Sequence, residues 1–226
     1  MKKIVIEQPK TIRQMVYEHL KDAIFYGEYN SGDRLVESEI GKRIGTSRTP
    51  VREALHTLER EQLISSIPRV GYTVNEISVN DFDEMCEIRL VLESLALRWA
   101  MEKTPQQLRS ALRKNVSEAE KQIDAGNIEK FIDVDTAFHD IIADLAGSER
   151  LKELTKNIRR YMIYYRFHSV HQNANVDSII AGHKTILAAV EEGDVEGAQD
   201  AFKNHVYQSK ADIQQYQKIK EEAKTT

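Results

Sequence analysis

The 226-residue sequence has little of what would point to a secreted, membrane-embedded or disulfide-built protein. A single cysteine, Cys86, excludes an intramolecular disulfide and a multi-cysteine zinc site. No base stands near it in sequence to make it a nucleophile, so it reads as a small buried apolar residue. Long hydrophobic runs are missing: the most apolar stretch, Leu90 to Met101, is broken by Glu93 and Arg98, which excludes a bilayer-spanning segment. The start, Met1 to Ile6, meets Glu7, Pro9 and Lys10 before any signal-like apolar region, and a cytoplasmic protein is expected. Proline is scarce, and none follows Pro105, so the remainder should be almost wholly helical. Internal repeats and low-complexity tracts are absent. What is present is 41% hydrophobic residues, enough for an ordinary core, and 30% charged residues. The net charge of −4 hides an asymmetry of +2 over residues 1–75 against −6 over residues 76–226. The front third is therefore the part suited to approach a polyanion.

The pattern divides the chain near Glu76 to Asp81, where a strand-like run gives way to Ser78 or Asn80 as a helix N-cap. This predicts one domain over 1–76 and a second over 79–226. In the first, Ile12, Val16, Leu20 and Ile24 recur at helical spacing and stop before Gly27. A short helix over Glu37 to Ile44 follows, then the turn Gly45-Thr46 and a third helix that Ser47 can cap and whose first turn tolerates Pro50. Val51, Ala54, Leu55 and Leu58 form its apolar stripe. Leu63 to Ile67 and Gly71 to Val74 read as two strands joined across Pro68. Three helices and a hairpin in that order spell a winged helix-turn-helix.

With that stripe turned to the core, Arg48 and Arg52 lie four apart on the exposed side of the third helix. The start of such a helix is where side chains enter a major groove, and arginine binds guanine edges with two hydrogen bonds. Ser47 and Thr49 are placed to reach phosphates, and Arg69 on the wing to touch backbone or minor groove. The plainer alternative is that the arginines solvate the helix, Arg52 pairing with Glu53 or Glu59. The run Ser47 to Leu55, preceded by Gly32-Asp33-Arg34-Leu35 and followed by Leu58-Glu59 and Leu63-Ile64, resembles the DNA-binding domain of the GntR family of bacterial transcription regulators. That resemblance implies operator contacts by Arg48, Arg52, Thr49 and the wing near Gly71. Three positions depart from the family pattern: Ser31 before Gly32 where proline is frequent, Gln62 where glycine is frequent, and Ser38 where an arginine commonly helps to contact DNA.

From about Asp81 onward, six amphipathic helices are expected over 81–103, 105–125, 128–146, 150–168, 176–192 and 195–216, with stops and starts at Gly126-Asn127, Gly147-Ser148 and Gly193-Asp194. Within the third of these, Asp135 and His139 are four apart and project from one face, a spacing that can grip one ion. His183 and His205 sit inside the last two helices. Three imidazoles and a carboxylate suit zinc, nickel, manganese or iron with positions left open, although each histidine can equally be a hydrogen-bonded core or surface residue. His168, His171 and His19 are assigned to surface or interface, and His56 to an exposed position on the third helix, with a contact to DNA as the alternative. Arg160, Tyr161, Tyr164, Tyr165 and Arg166 form a dense aromatic and basic stretch, suited to line a pocket or to pack a helix between neighbours.

Asp135-Thr136-Ala137-Phe138-His139, Gly182-His183 and Asn204-His205 are similar to the ligand-bearing segments of the FCD domain, the effector domain of FadR-type GntR regulators. The resemblance implies a divalent ion held by Asp135, His139, His183 and His205. It also implies that Arg89, in Glu87-Ile88-Arg89 with Glu93, faces the cavity and binds a carboxylate effector, with a buried Arg89–Glu93 salt bridge as the alternative. The expected whole is a mainly α protein, a winged helix-turn-helix followed by an all-helical effector-binding and dimerisation domain. Its expected role is that of a homodimeric repressor of a metabolic operon, with double-stranded operator DNA and a small carboxylate as partners. The alternatives are a metal-dependent hydrolase or lyase on a helical bundle, which no evident general base or nucleophile supports, and a helical protein scaffold.

Overall fold

The computed structural model describes residues 10–75, 79–170 and 176–224, except the side chains of 79–81, 160, 161, 163–170 and 216–224. The boundary residues Glu76 to Ser78, His171, and the side chains of Arg160, Tyr161, Tyr164, Tyr165, Arg166 and His168 lie outside that description. Two compact units form, Met1–Ile77 and Ser78–Thr226.

The first unit opens with α1 (Ile12–Phe25), whose N-terminus is a reciprocal capping box: the Gln14 amide donates to Thr11 Oγ1, and the Thr11 amide donates to Gln14 Oε1. Helix α2 (Glu37–Ile44) ends on Gly45, whose φ of 76° is the left-handed conformation that glycine adopts without strain. It leads into α3 (Arg48–Arg60). Val16, Leu20, Ile24 and Phe25 of α1 and Val51, Ala54, Leu55 and Leu58 of α3 are buried in one core, each large side chain contributing about 1.5–3 kcal/mol. Lys21, almost fully buried, is held by Glu61 at the C-terminal end of α3 and by the hydroxyl of Tyr17 one turn earlier on α1, so its charge is compensated.

Strands β2 (Ile64–Ile67) and β3 (Gly71–Val74) make the expected hairpin. A strand the periodicity does not reveal, β1 (Arg34–Leu35), pairs antiparallel with β3 on its other edge, giving the order β1-β3-β2. Two residues are too short to show alternation. Its presence gives Gly71 a structural reason: φ is 126°, and a Cβ there would lie 2.7 Å from the Leu35 carbonyl oxygen. Gly71→Ala should therefore destabilise the first unit by about 1–3 kcal/mol, through backbone strain and loss of the β1–β3 approach. An unchanged urea midpoint would show that the wing absorbs the methyl without cost.

Among its described residues the second unit is built of helices joined by short turns: α4 (Val79–Lys103), α5 (Pro105–Asp124), α6 (Ile128–Leu145), α7 (Glu149–Val170), α8 (Val176–Glu192) and α9 (Val195–Lys224). The last helix runs eight residues past its expected end at Tyr216. Helix α4 packs against α6, α7 and α9, and its buried residues Phe82, Cys86, Arg89, Glu93, Ala96, Leu97 and Ala100 belong to a helix surrounded by neighbours. Burial pushes the Cys86 thiol up to about 11, an unreactive state. Helices α6 and α9 pack on α4, and α8 packs on α5 and α9; Arg89, Glu93, Asp135, His139, His183 and His205 are buried polar residues of these helices. Among the described residues no helix is long and apolar enough to cross a membrane.

Candidate functional site

In the first unit, Arg48, Thr49, Arg52 and Ser47 are exposed around the start of α3, and Arg69 is exposed on the wing with φ of 65°. An open cleft of about 400 Å³ runs between Glu37 and Ser38 of α2, Arg48 of α3 and the wing residues Ser66 to Tyr72. Ser47 stands at the N-cap position of α3, but its hydroxyl makes no capping hydrogen bond. Arg52 pairs with neither Glu53 nor Glu59. Its Nε and Nη2 donate to Oε1 and Oε2 of Glu37, each at 2.8 Å, a two-pronged pair from α3 to α2. The hydrogen bonds from Arg52 hold the Glu37 carboxyl below its ordinary range. His56 is exposed, with Nδ1 3.4 Å from both Glu59 Oε2 and the Tyr72 hydroxyl oxygen.

In the second unit, Asp135 and His139 of α6, His183 of α8 and His205 of α9 are all buried and converge. Donor nitrogens of the three histidines lie within 4.8 Å of one another, and His183 Nε2 is 3.6 Å from Asp135 Oδ1. Phe138 stacks on the His183 ring at 3.7 Å between centroids, nearly parallel, which fixes the imidazole plane. Gly182 precedes His183 for a steric reason, since a Cβ at 182 would meet His205 Nδ1 at 2.5 Å. A glycine inside a helix costs about 1 kcal/mol relative to alanine, and here it lets the His205 imidazole lie against α8.

A second layer surrounds His139. Its Nδ1 is 2.7 Å from Glu93 Oε2, so the imidazole donates there, while Arg89 Nη2 lies against the ring, 3.0 Å from Nε2 and 3.2 Å from Nδ1. Arg89 also donates through Nε to Glu93 Oε1 at 2.7 Å. The buried salt bridge foreseen as the alternative for Arg89 is thus formed. It leaves Arg89 Nη1, also buried, without a hydrogen-bond partner among the described residues. Burial alone would raise the Glu93 carboxyl, but Arg89 and His139 outweigh it and hold it far below the ordinary range. Burial first, with Arg89 adding to it and Glu93 opposing, brings His139 down to about 4, so its ring is neutral at physiological pH. Arg159 of α7 closes the outer side, donating to Asp140 Oδ1 at 2.6 Å and to the Thr136 carbonyl.

These residues fit a divalent ion. Donors about 2.1 Å from a metal lie at most about 4.2 Å apart, so the histidine nitrogens need to close by roughly half an ångström. The Glu93 carboxylate on His139 Nδ1 is the outer partner a ligating histidine requires, leaving Nε2 as the donor. One feature opposes it: the Arg89 guanidinium lies against the imidazole, with Nη2 3.0 Å from Nε2, and its positive charge must withdraw for His139 to ligate. Sequence reasoning missed Glu37 as the partner of Arg52, Glu93 as the partner of His139, and Arg159. The i, i+4 spacing of Arg89 and Glu93 signalled that pair alone, whereas each of these three depends on contacts between different helices.

Residues 12–74 match the family described as bacterial regulatory proteins, gntR family, and residues 84–208 match the FCD domain. The chain is similar to the HTH-type transcriptional regulator YdhC of Bacillus subtilis (strain 168), 27% identical over 88% of this chain and 90% of the relative. It is 29% identical to the HTH-type transcriptional regulator McbR of Escherichia coli (strain K12), over 89% of this chain and 92% of McbR. The HTH-type transcriptional repressor RspR of the same strain is 24% identical over 90% of each chain. The solved structure of E. coli McbR/YncC covers 92% of this chain and all of its own length, with a TM-score of 0.78 and 26% identity.

Proposed function

Because the chain belongs to the GntR family of bacterial DNA-binding transcription regulators, with an FCD domain behind its winged helix-turn-helix, we propose that it is a homodimeric repressor released or engaged by a small carboxylate bound at a metal-assisted site. The enzymatic alternative falls away, since both domain matches and the relatives are regulators and binding is the whole chemistry. The observation that carries the effector reading is the buried cluster of His139, His183 and His205, with Asp135 beside His183 and Arg89 against His139, one guanidinium nitrogen still able to donate. Asp135 and the three histidines hold the ion, which when bound supplies a Lewis-acid contact for a carboxylate. Arg89 supplies a charge-assisted hydrogen bond to the same group. A carboxylate effector offers Arg89 a partner to replace the His139 ring, so effector binding and ligation by His139 favour the same arginine position. Such differential contact is what allows a ligand to shift a conformational equilibrium.

On the DNA side, Arg48 and Arg52 read bases, Ser47 and Thr49 contact phosphates, and Arg69 with the wing at Gly71 flanks the groove. Relatives include a repressor, RspR, which supports that direction of control. Two copies would place two reading helices on an inverted repeat and raise the effective concentration of the second. Exposed Ile88 and Val91, three apart on α4, offer apolar surface to such a partner.

Arg48→Ala or Arg52→Ala should weaken operator binding by about 1–3 kcal/mol and relax base preference, measured by mobility shift on the DNA upstream of the chain's own gene. Wild-type affinity and preference in both variants would remove the base-reading assignment. The effector reading is tested by adding a panel of organic and sugar acids to metal-loaded protein. At least one acid should raise the melting temperature and change the mobility shift in wild type, and do neither in Arg89→Ala. A response that survives in Arg89→Ala places the effector elsewhere.

A further inference from the structure

An acidic side chain on the surface that meets DNA works against phosphate attraction, so Glu37 at the first turn of α2, lining the cleft beside Arg48 and the wing, needs a reason. The pair it makes supplies one. Glu37 Oε1 and Oε2 take the Nε–H and one Nη2–H of Arg52, both at 2.8 Å, which occupies one long edge of the guanidinium. The end edge, Nη1–H with the second Nη2–H, is left pointing along the side chain, and these two donors match the O6 and N7 acceptors of guanine in the major groove.

A free, exposed arginine samples many rotamers, and Arg52 is the more exposed partner, its side chain 58% accessible against 21% for Glu37. The carboxylate is thus the fixed half of the pair and the guanidinium the half being aimed. Arg48 and His56 also lie close enough to act on the Glu37 charge, yet its two strong hydrogen bonds go to Arg52. Neighbouring Ser38 is uncharged and does not compete with Arg52 for that carboxylate.

We propose that Glu37 is a positioning residue for operator recognition: it grips the Nε edge of Arg52 before DNA arrives, so that the arginine presents its end edge to one guanine in each half-site instead of straying to a phosphate. The proposal rests on the reading of Arg52 as a base contact.

The two readings separate in one experiment. Full-length wild type, Glu37→Gln, Glu37→Asp, Arg52→Ala and the Glu37→Gln/Arg52→Ala double variant are each used to select from a duplex library with a fully randomised central segment, and the bound DNA is sequenced. Melting curves report folding. In wild type one position per half-site should require guanine, and Arg52→Ala should erase that requirement, which identifies the position. Glu37→Gln should cut the preference for guanine at that same position by about tenfold while leaving other positions unchanged. It should also raise affinity for unselected DNA, because the released arginine reaches phosphates. Glu37→Asp, with its charge kept and its reach shortened, should shift that position alone. The double variant should match Arg52→Ala there. A mere staple between α2 and α3 would lower the melting temperature and leave base preference untouched, and that result in Glu37→Gln overturns the proposal. So does a double variant that differs from Arg52→Ala at that position, since Glu37 would then be reading a base itself. If Arg52→Ala changes no preference at all, the base-contact reading fails first and the positioning role with it.

Discussion

Glu93→Ala should destabilise the helical unit by about 3–5 kcal/mol, because it strands a buried guanidinium. Arg89 is 2% exposed and its Nε is held by Glu93, so removing the carboxylate leaves a positive charge in low dielectric with only an imidazole nitrogen to address. His139 loses the acceptor for its Nδ1 proton at the same stroke. Replacing both ends of the pair, Arg89→Met with Glu93→Leu, should cost much less than Glu93→Ala, since no uncompensated charge remains. Urea unfolding of metal-free protein checks both, and a loss below about 1 kcal/mol for Glu93→Ala would mean that water or backbone solvates Arg89.

The same cluster fixes a pH dependence. His139 is depressed from 6.5 to about 4 in the folded chain, so between those values the unfolded chain binds the extra proton and stability rises with pH. Glu93, also depressed, acts with the same sign below its ordinary 4.5. Metal-free wild type should therefore lose stability as pH falls from 6.5 toward 4. A flat profile over that range would contradict the neutral, buried state of His139.

His183→Ala should abolish metal uptake and the stabilisation that accompanies it. The residue is fully buried, lies 3.6 Å from Asp135 Oδ1 and is clamped by Phe138, so its nitrogen is placed by packing instead of by the ion. Ligands from α6, α8 and α9 make an ion a cross-link between three helices. An ion a hundredfold above its dissociation constant adds about 2.7 kcal/mol to folded-state stability. Removal of the imidazole also opens a cavity, which lowers the metal-free melting point, so the informative quantity is the shift on adding metal and not the baseline. Elemental analysis after loading and dialysis, with melting curves with and without zinc, nickel and manganese, gives that shift. Equal, negligible metal in wild type and His183→Ala would make these histidines structural.

Local pattern sufficed for much of this molecule. Apolar residues at 3.6-residue spacing, glycine stops and a turn-bounded alternation gave the order of three helices and a hairpin, then a run of helices, because those signals depend on neighbours within one turn. The shared face of Asp135 and His139, four residues apart on α6, was legible for the same reason. The resemblance of the ligand-bearing segments marked His183 and His205 as their companions.

What only the tertiary structure decided are the partnerships across elements. Arg52 has acidic residues nearby on its own helix, yet its carboxylate comes from α2, fifteen residues earlier. Strand β1 exists because β3 is there to pair with it, and that pairing is why Gly71 must lack a side chain. Arg89 meets both its i+4 neighbour Glu93 and His139, fifty residues away, so whether it serves as salt bridge or as donor to the ion cluster was not a property of its spacing. Periodicity determines which face of a helix is buried, but the neighbour that face meets is set by how the helices pack. A buried charge is stable only where that packing supplies its partner.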